Sequence, residues 1–156
     1  MDTQHFFREV AAALRCDIRR ADALTFTVFQ ELRQRLTPTE AADVAAQLPT
    51  GLKRLWEQDE DPDRAVTKTH RQEFIGRVRQ RAALADDREA ERAVVAVFGA
   101  LQRLLGSPSG TEGEAGDVFS QLPKDLKELW LEASARGRGE RSAADRPRAH
   151  ELGKAD

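Results

Sequence analysis

Arg77 and Arg81 stand one helical turn apart, and with Lys68, Arg71 and Arg79 they load one stretch of the chain with groups that grip anions. Glu73, Asp86, Asp87 and Glu89 lie close by, so the same stretch also reads as a solvated, balanced face. The other chemistry-bearing residues are dispersed. His5, His70 and His150 are far apart in the chain, and His-x-x-x-His and His-Glu-x-x-His are both absent. A metal needs several donors converging on one point, so no metal is expected. Asp59-Glu60-Asp61-Pro62-Asp63 has the oxygen density of a calcium loop but lacks the glycine at the sixth position and the distal glutamate. It reads as a charged linker. Cys16 is the single cysteine, which excludes an intramolecular disulfide. Gly-x-Ser-x-Gly, Gly-x4-Gly-Lys and Gly-x-Gly-x-x-Gly do not occur, so neither an enzyme nor a cofactor is expected. Trp56 and Trp130, the two tryptophans, are candidate anchors for a partner, because tryptophan is enriched at binding hot spots.

The elements that would carry these residues are helical. Apolar residues recur every three or four positions and period-two alternation is nearly absent. Phe6, Phe7, Val10, Ala13 and Leu14 mark a first helix. Leu24, Val28, Phe29, Leu32 and Leu36 mark a second, for which Asp22 is the candidate cap. Thr37-Pro38-Thr39-Glu40 has the hydroxyl, proline and carboxylate of a capping box and opens a third, carrying Ala41, Val44, Ala45 and Leu48. Pro49 stops that helix and opens a short fourth with Leu52, Leu55 and Trp56. Helical spacing resumes at Phe74, Ile75, Val78 and Leu84. Asp86-Asp87 then favours the start of a long helix through Leu105.

The chain also repeats itself. Residues 43–56 read DVAAQLPTGLKRLW and residues 117–130 read DVFSQLPKDLKELW, identical at nine of fourteen positions. Val28-Phe29, Leu32 and Leu36 align with Val97-Phe98, Leu101 and Leu105, and Phe6 and Val10 with Phe74 and Val78. The growing offset places a five-residue insertion in the stretch from Gly106 to Gly116. Each half is then one unit of roughly 65 residues. At the two bends, Gln47-Leu48-Pro49 and Gln121-Leu122-Pro123, proline removes an N–H and disfavours α geometry at the leucine before it. The chain must turn there, and a buried glutamine amide holding backbone groups would explain the repeated Gln.

Phe6-x3-Val10, the Val-Phe-x2-Leu-x3-Leu helix after Ala23, Thr37-Pro38-x-Glu40-Ala41 and Ala46-Gln47-Leu48-Pro49 resemble the bacterial family catalogued as domain of unknown function 2267, over residues 6 to about 131. The second copy departs from that pattern: it lacks Thr-Pro-x-Glu-Ala and carries the insertion. The resemblance implies an all-helical, internally duplicated bacterial protein with no established activity. It also implies genes that often lie among stress-response genes, and it offers no catalytic residues to carry over.

The expected architecture is all-α: two tandem homologous helical repeats of about four helices each, packed into one bundle. The first repeat spans 1–57, an acidic linker 58–66, the second repeat 67–133, and a disordered tail 134–156. That tail holds six bases against four acids and lacks the aromatics that single-strand binders stack on. With a formal charge of −2 overall, nucleic acid is not the expected partner. The start of the chain has no basic region leading into an apolar run, and the longest apolar run, Ala93 to Leu101, is far short of the ~20 residues a bilayer needs. A cytoplasmic, non-enzymatic interaction module binding a protein partner or a second copy is the expected function, without membrane insertion. The alternative is an anion or nucleic-acid binder using Arg77, Arg81 and the tail.

Overall fold

A computed structural model describes the backbone of residues 3–106 and 110–145, and side chains as far as residue 135. Its regular elements are all helical: α1 (Thr3–Leu14), α2 (Ile18–Gln34), α3 (Pro38–Ala45), α4 (Thr50–Glu57), α5 (Arg71–Arg81), α6 (Asp87–Leu104), α7 (Gly113–Gln121) and α8 (Lys124–Asp145). Among the described residues there is no strand, and no helix is long and apolar enough to cross a membrane.

Local chemistry sets the boundaries. Thr37 Oγ1 accepts from Glu40 N at 3.0 Å while Thr37 N donates to Glu40 Oε1 at 2.9 Å, the reciprocal box that starts α3. Asp86 caps α6 by accepting from Glu89 N at 2.8 Å. The start of α2 differs from the sequence expectation: Asp17, not Asp22, is the cap, accepting from Arg20 N at 2.8 Å. The reason is the turn just before it. Arg15 takes a left-handed φ of 55° and Cys16 N closes back onto Ala11 O, which ends α1 and leaves room for a helix to start at once. The two bends keep α3 from α4 and α7 from α8, with Pro49 in extended geometry ahead of Thr50 and Leu122 extended ahead of Pro123.

One core gathers side chains from all eight helices. The two longest central helices, α2 and α6, pack on one another, and each also receives the first helix of the other half: α1 lies on α2 and α6, α5 on α6 and α2. α4 packs on α2, α8 on α6, and α3 meets α7. Exchanging α1–α4 for α5–α8 maps these pairings onto one another, but α3 also packs on α4 and that pairing has no counterpart of like extent between α7 and α8.

The connection between α4 and α5 holds no helix, yet it is not wholly solvated. Glu60 in the acidic linker turns inward to Arg33 and Arg64, and Arg64 donates to Leu36 O at 2.7 Å, whereas Asp59, Asp61 and Asp63 stay exposed. α8 runs to Asp145, and Ala133 and Ser134, at the point where the tail is expected to begin, are buried. Residues 146–156 of that tail, His150 among them, lie outside the described residues.

Candidate functional site

The two tryptophans are core residues. Trp56 is 1% exposed and Trp130 is fully buried, so the reading of both as partner anchors is corrected: both indoles are packed in the core and neither projects from the surface. The leucines at the bends explain this. Leu48 and Leu52, and likewise Leu122 and Leu126, are buried with them and fold each short segment back over its central helix. Trp56 meets Phe29 edge-on with ring centres 5.3 Å apart and donates its indole N–H to Ala41 O at 2.9 Å. Trp130 tilts against Phe98 at 5.2 Å and donates to Gly110 O. Gln47 and Gln121 are half-buried and make no side-chain hydrogen bond among the described residues, so the expected glutamine brace is absent. Backbone bonds close the bends instead, Leu48 N to Ala45 O and Leu122 N to Phe119 O.

Beside Trp56 lies a buried guanidinium. Arg33 is 2% exposed, and its Nη1 donates to Trp56 O at 2.6 Å and Gln58 O at 2.9 Å, carbonyls at the end of α4 that no later turn of helix satisfies. Its Nε lies 3.3 Å from Glu60 Oε1 and makes no hydrogen bond. Burial pushes the Arg33 pKa down, against the opposing pull of Glu60. Burial would by itself raise Glu60, but the Arg64 hydrogen bond and the charges of Arg33 and Arg64 outweigh it and hold its pKa below the usual range.

Arg33, Glu60 and Trp56 form one side of a surface groove of about 210 Å³. Pro38, Ala41 and Ala45 line it with small apolar surface, and exposed Ala42 stands at its edge. Exposed Glu57 also lines it, and the acidic connection that supplies Glu60 and Pro62 runs along the rim.

Arg77 and Arg81, the candidate anion grip, both hold Glu31. Arg77 Nε donates to one carboxylate oxygen and Arg81 Nη1 to the other, each at 2.7 Å, and Arg81 also donates to Gln30. Glu31 is 1% exposed while the arginine side chains stay 47% and 42% exposed. The partner acid is therefore not among the neighbours in sequence but comes from α2, across the bundle. Arg35 likewise reaches Asp125 with both terminal nitrogens, joining the end of α2 to α8.

The sequence reading missed Glu31, Arg33, Arg35 and Glu60. One signal was available: Arg33 and Gln102 each follow the aligned phenylalanines Phe29 and Phe98 by four residues, and each caps the carbonyl of its own tryptophan. Gln102 Nε2 donates to Trp130 O at 2.8 Å.

A family model described as "Uncharacterized conserved protein (DUF2267)" matches residues 3–129. The chain belongs to the DUF2267 family. The matched span holds both bends, the groove beside Trp56 and the Glu31 cluster; it stops one residue before Trp130. No functionally curated protein matches the chain. In this DUF2267 chain no three His, Cys, Asp or Glu side chains converge to hold a metal among the described residues.

Proposed function

We propose that this DUF2267 chain is a non-enzymatic, cytoplasmic protein-interaction module, and that its docking surface is the groove between α3 and α4. The observation that carries the reading is the composition of that groove. It is lined by Pro38, Ala41 and Ala45, by a buried Arg33 whose Nε makes no hydrogen bond, and by Glu57 and Glu60. The connection that supplies Glu60 also carries the exposed aspartates 59, 61 and 63. Small side chains leave room for one inserted apolar side chain, and the rim favours basic residues on either side of it. The occupant is a protein segment that combines an apolar anchor with Lys or Arg. Buried Trp56 supports the wall of this groove, and Trp130 takes no part in it.

The same reading takes the chain as an internal duplication. It is supported by the nine identities between 43–56 and 117–130, by the exchangeable helix pairings and by the matched Phe–Trp pairs. The insertion leaves the second half with a different surface at the equivalent place, so one groove serves one partner. A bacterial stress-response role rests on the family resemblance alone. The anion-binding alternative is weakened by the engagement of Arg77 and Arg81 with Glu31, which neutralises part of their charge.

Selection from a displayed random-peptide library tests the reading. Enriched peptides should pair Leu, Met or Phe with flanking Lys or Arg, and binding should fall at least tenfold in Ala42→Arg, a change at an exposed position that places a cation on the groove's edge. Peptides without basic residues, or undiminished binding by Ala42→Arg, would overturn it.

A further inference from the structure

A smaller apolar cluster of Leu24, Ala82 and Ala93 lies apart from the main core, with Leu14 and Leu84 against it. It sits where the α1–α2 junction meets the α5–α6 junction. The two junctions are built alike. Arg15 and Ala83 both take φ 55°, and Cys16 N and Leu84 N bond back to Ala11 O and Arg79 O. Asp17 and Asp86 then cap the next helix. Matching positions therefore face one another, and they do not fill the space between them: opposite Leu24 stands only Ala93. The result is a cavity of about 150 Å³ with Leu24, Leu84 and Ala93 as its floor, Cys16 on its wall and Arg20, Glu89 and Arg92 at its mouth.

A solvent-open recess of this size has room for a compact ring, with apolar side chains on one part of its lining and polar ones on the rest. The mouth adds charge. Glu89 accepts from Ala85 N at 3.1 Å and offsets one guanidinium. Arg20 gives one N–H to Ala82 O at 3.0 Å and keeps its other donors. Arg92 makes no ion pair among the described residues. Two guanidiniums thus stand against one carboxylate among the lining groups, with Asp17, the cap of α2 beside Cys16, as a second acid nearby.

We propose that this cavity binds a small monocarboxylate with a compact apolar body, the size of benzoate, its carboxylate on Arg92 and Arg20 and its body against Leu24 and Ala93. The site is separate from the α3–α4 groove, and neither reading depends on the other.

Cys16 is the chain's single cysteine and is half-buried in the cavity wall, so its alkylation rate reports occupancy. In the full chain at fixed ionic strength, benzoate should slow the reaction of Cys16 with iodoacetamide saturably and at least threefold, and benzyl alcohol should not. Arg92→Ala, an exposed change that leaves the fold intact, should weaken that protection about tenfold, as loss of a charge-assisted hydrogen bond does. Unchanged alkylation at saturating benzoate, equal protection by the alcohol, or equal protection in Arg92→Ala would each overturn the proposal.

Discussion

The ends of α4 and the start of α8 begin from nearly the same sequence and finish differently. In both, a tryptophan stacks on a phenylalanine of the central helix and gives its indole N–H to a backbone carbonyl. In both, the residue four places after that phenylalanine reaches the tryptophan's own carbonyl. The first half uses Arg33 and the second Gln102. The helix itself accounts for the choice. α4 stops at Glu57, so the carbonyls of Trp56 and Gln58 point out of a finished helix, where partial negative charge gathers and a cation is favoured. α8 runs on past Trp130 to Asp145, so that carbonyl lies inside a continuing helix and a neutral amide suffices. A terminus creates a charged site where a continuation does not. The buried arginine then meets Glu60 of the acidic connection, itself held by Arg64, and lines the groove together with Glu60.

If the two tryptophans hold equivalent places, removing either should cost about the same. Trp56→Ala and Trp130→Ala should each lower stability by about 3–5 kcal/mol, the range for deleting a buried aromatic of this size. Urea denaturation measures it. A cost confined to one of them would break the equivalence.

The capping residues should separate the halves. Arg33→Met keeps volume but leaves two carbonyls without their cation and Glu60 with Arg64 alone, for a loss of about 3 kcal/mol. Gln102→Met removes one neutral hydrogen bond from a carbonyl in mid-helix and should cost about 1 kcal/mol. Equal losses in paired melts would show that helix termination is not what distinguishes the two sites.

The acceptors sharpen the contrast further. Ala41 O lies in a regular helix, whereas Gly110 O lies in the inserted stretch at φ 76°. A Cβ on Gly110 would fall 2.6 Å from Trp130 Nε1 and 2.8 Å from Gln102 Nε2. The indole is locked in the core and cannot yield. Gly110→Ala combines left-handed strain with that clash and should cost about 2 kcal/mol, with a shift in the Trp130 indole N–H resonance and none at Trp56.

What the sequence disclosed follows the range of the interactions involved. Apolar spacing located the helices, and Thr37-Pro38-Thr39-Glu40 and Asp86 marked two starts, because both signals act within a turn or two of chain. The cap at Asp17 is not legible in the sequence, because the left-handed turn at Arg15 depends on backbone geometry that an arginine does not announce. The partners of Arg77 and Arg81 were sought among nearby acids. The carboxylate they hold lies 46 and 50 residues away, on a helix so enclosed that Glu31 falls within its buried face. Tryptophan's double aptitude, for cores and for interfaces, is settled only by what surrounds it. Glu60 could not be told from its acidic neighbours without knowing where Arg33 would be.

The smallest expected effect is also the most specific to the first half. Glu60 has its pKa held below that of a free glutamate, so it binds a proton less readily folded than unfolded. Its contribution is therefore complete above the unfolded value of roughly pH 4 and is lost as pH falls from there through the lower folded value. Glu60→Gln should flatten the acid limb of the stability–pH profile by lowering stability at neutral pH, where the carboxylate's contribution is complete, with the difference from the parent closing as pH falls. Arg64 and Arg33 keep their carbonyl partners, which limits the loss. The second half has no counterpart, because Gln102 does not titrate. A variant with Gln102→Ala should thus follow the parent's acid limb in parallel. If Glu60→Gln instead ran parallel and Gln102→Ala changed shape, the charge in the first cap would not reside where the geometry puts it.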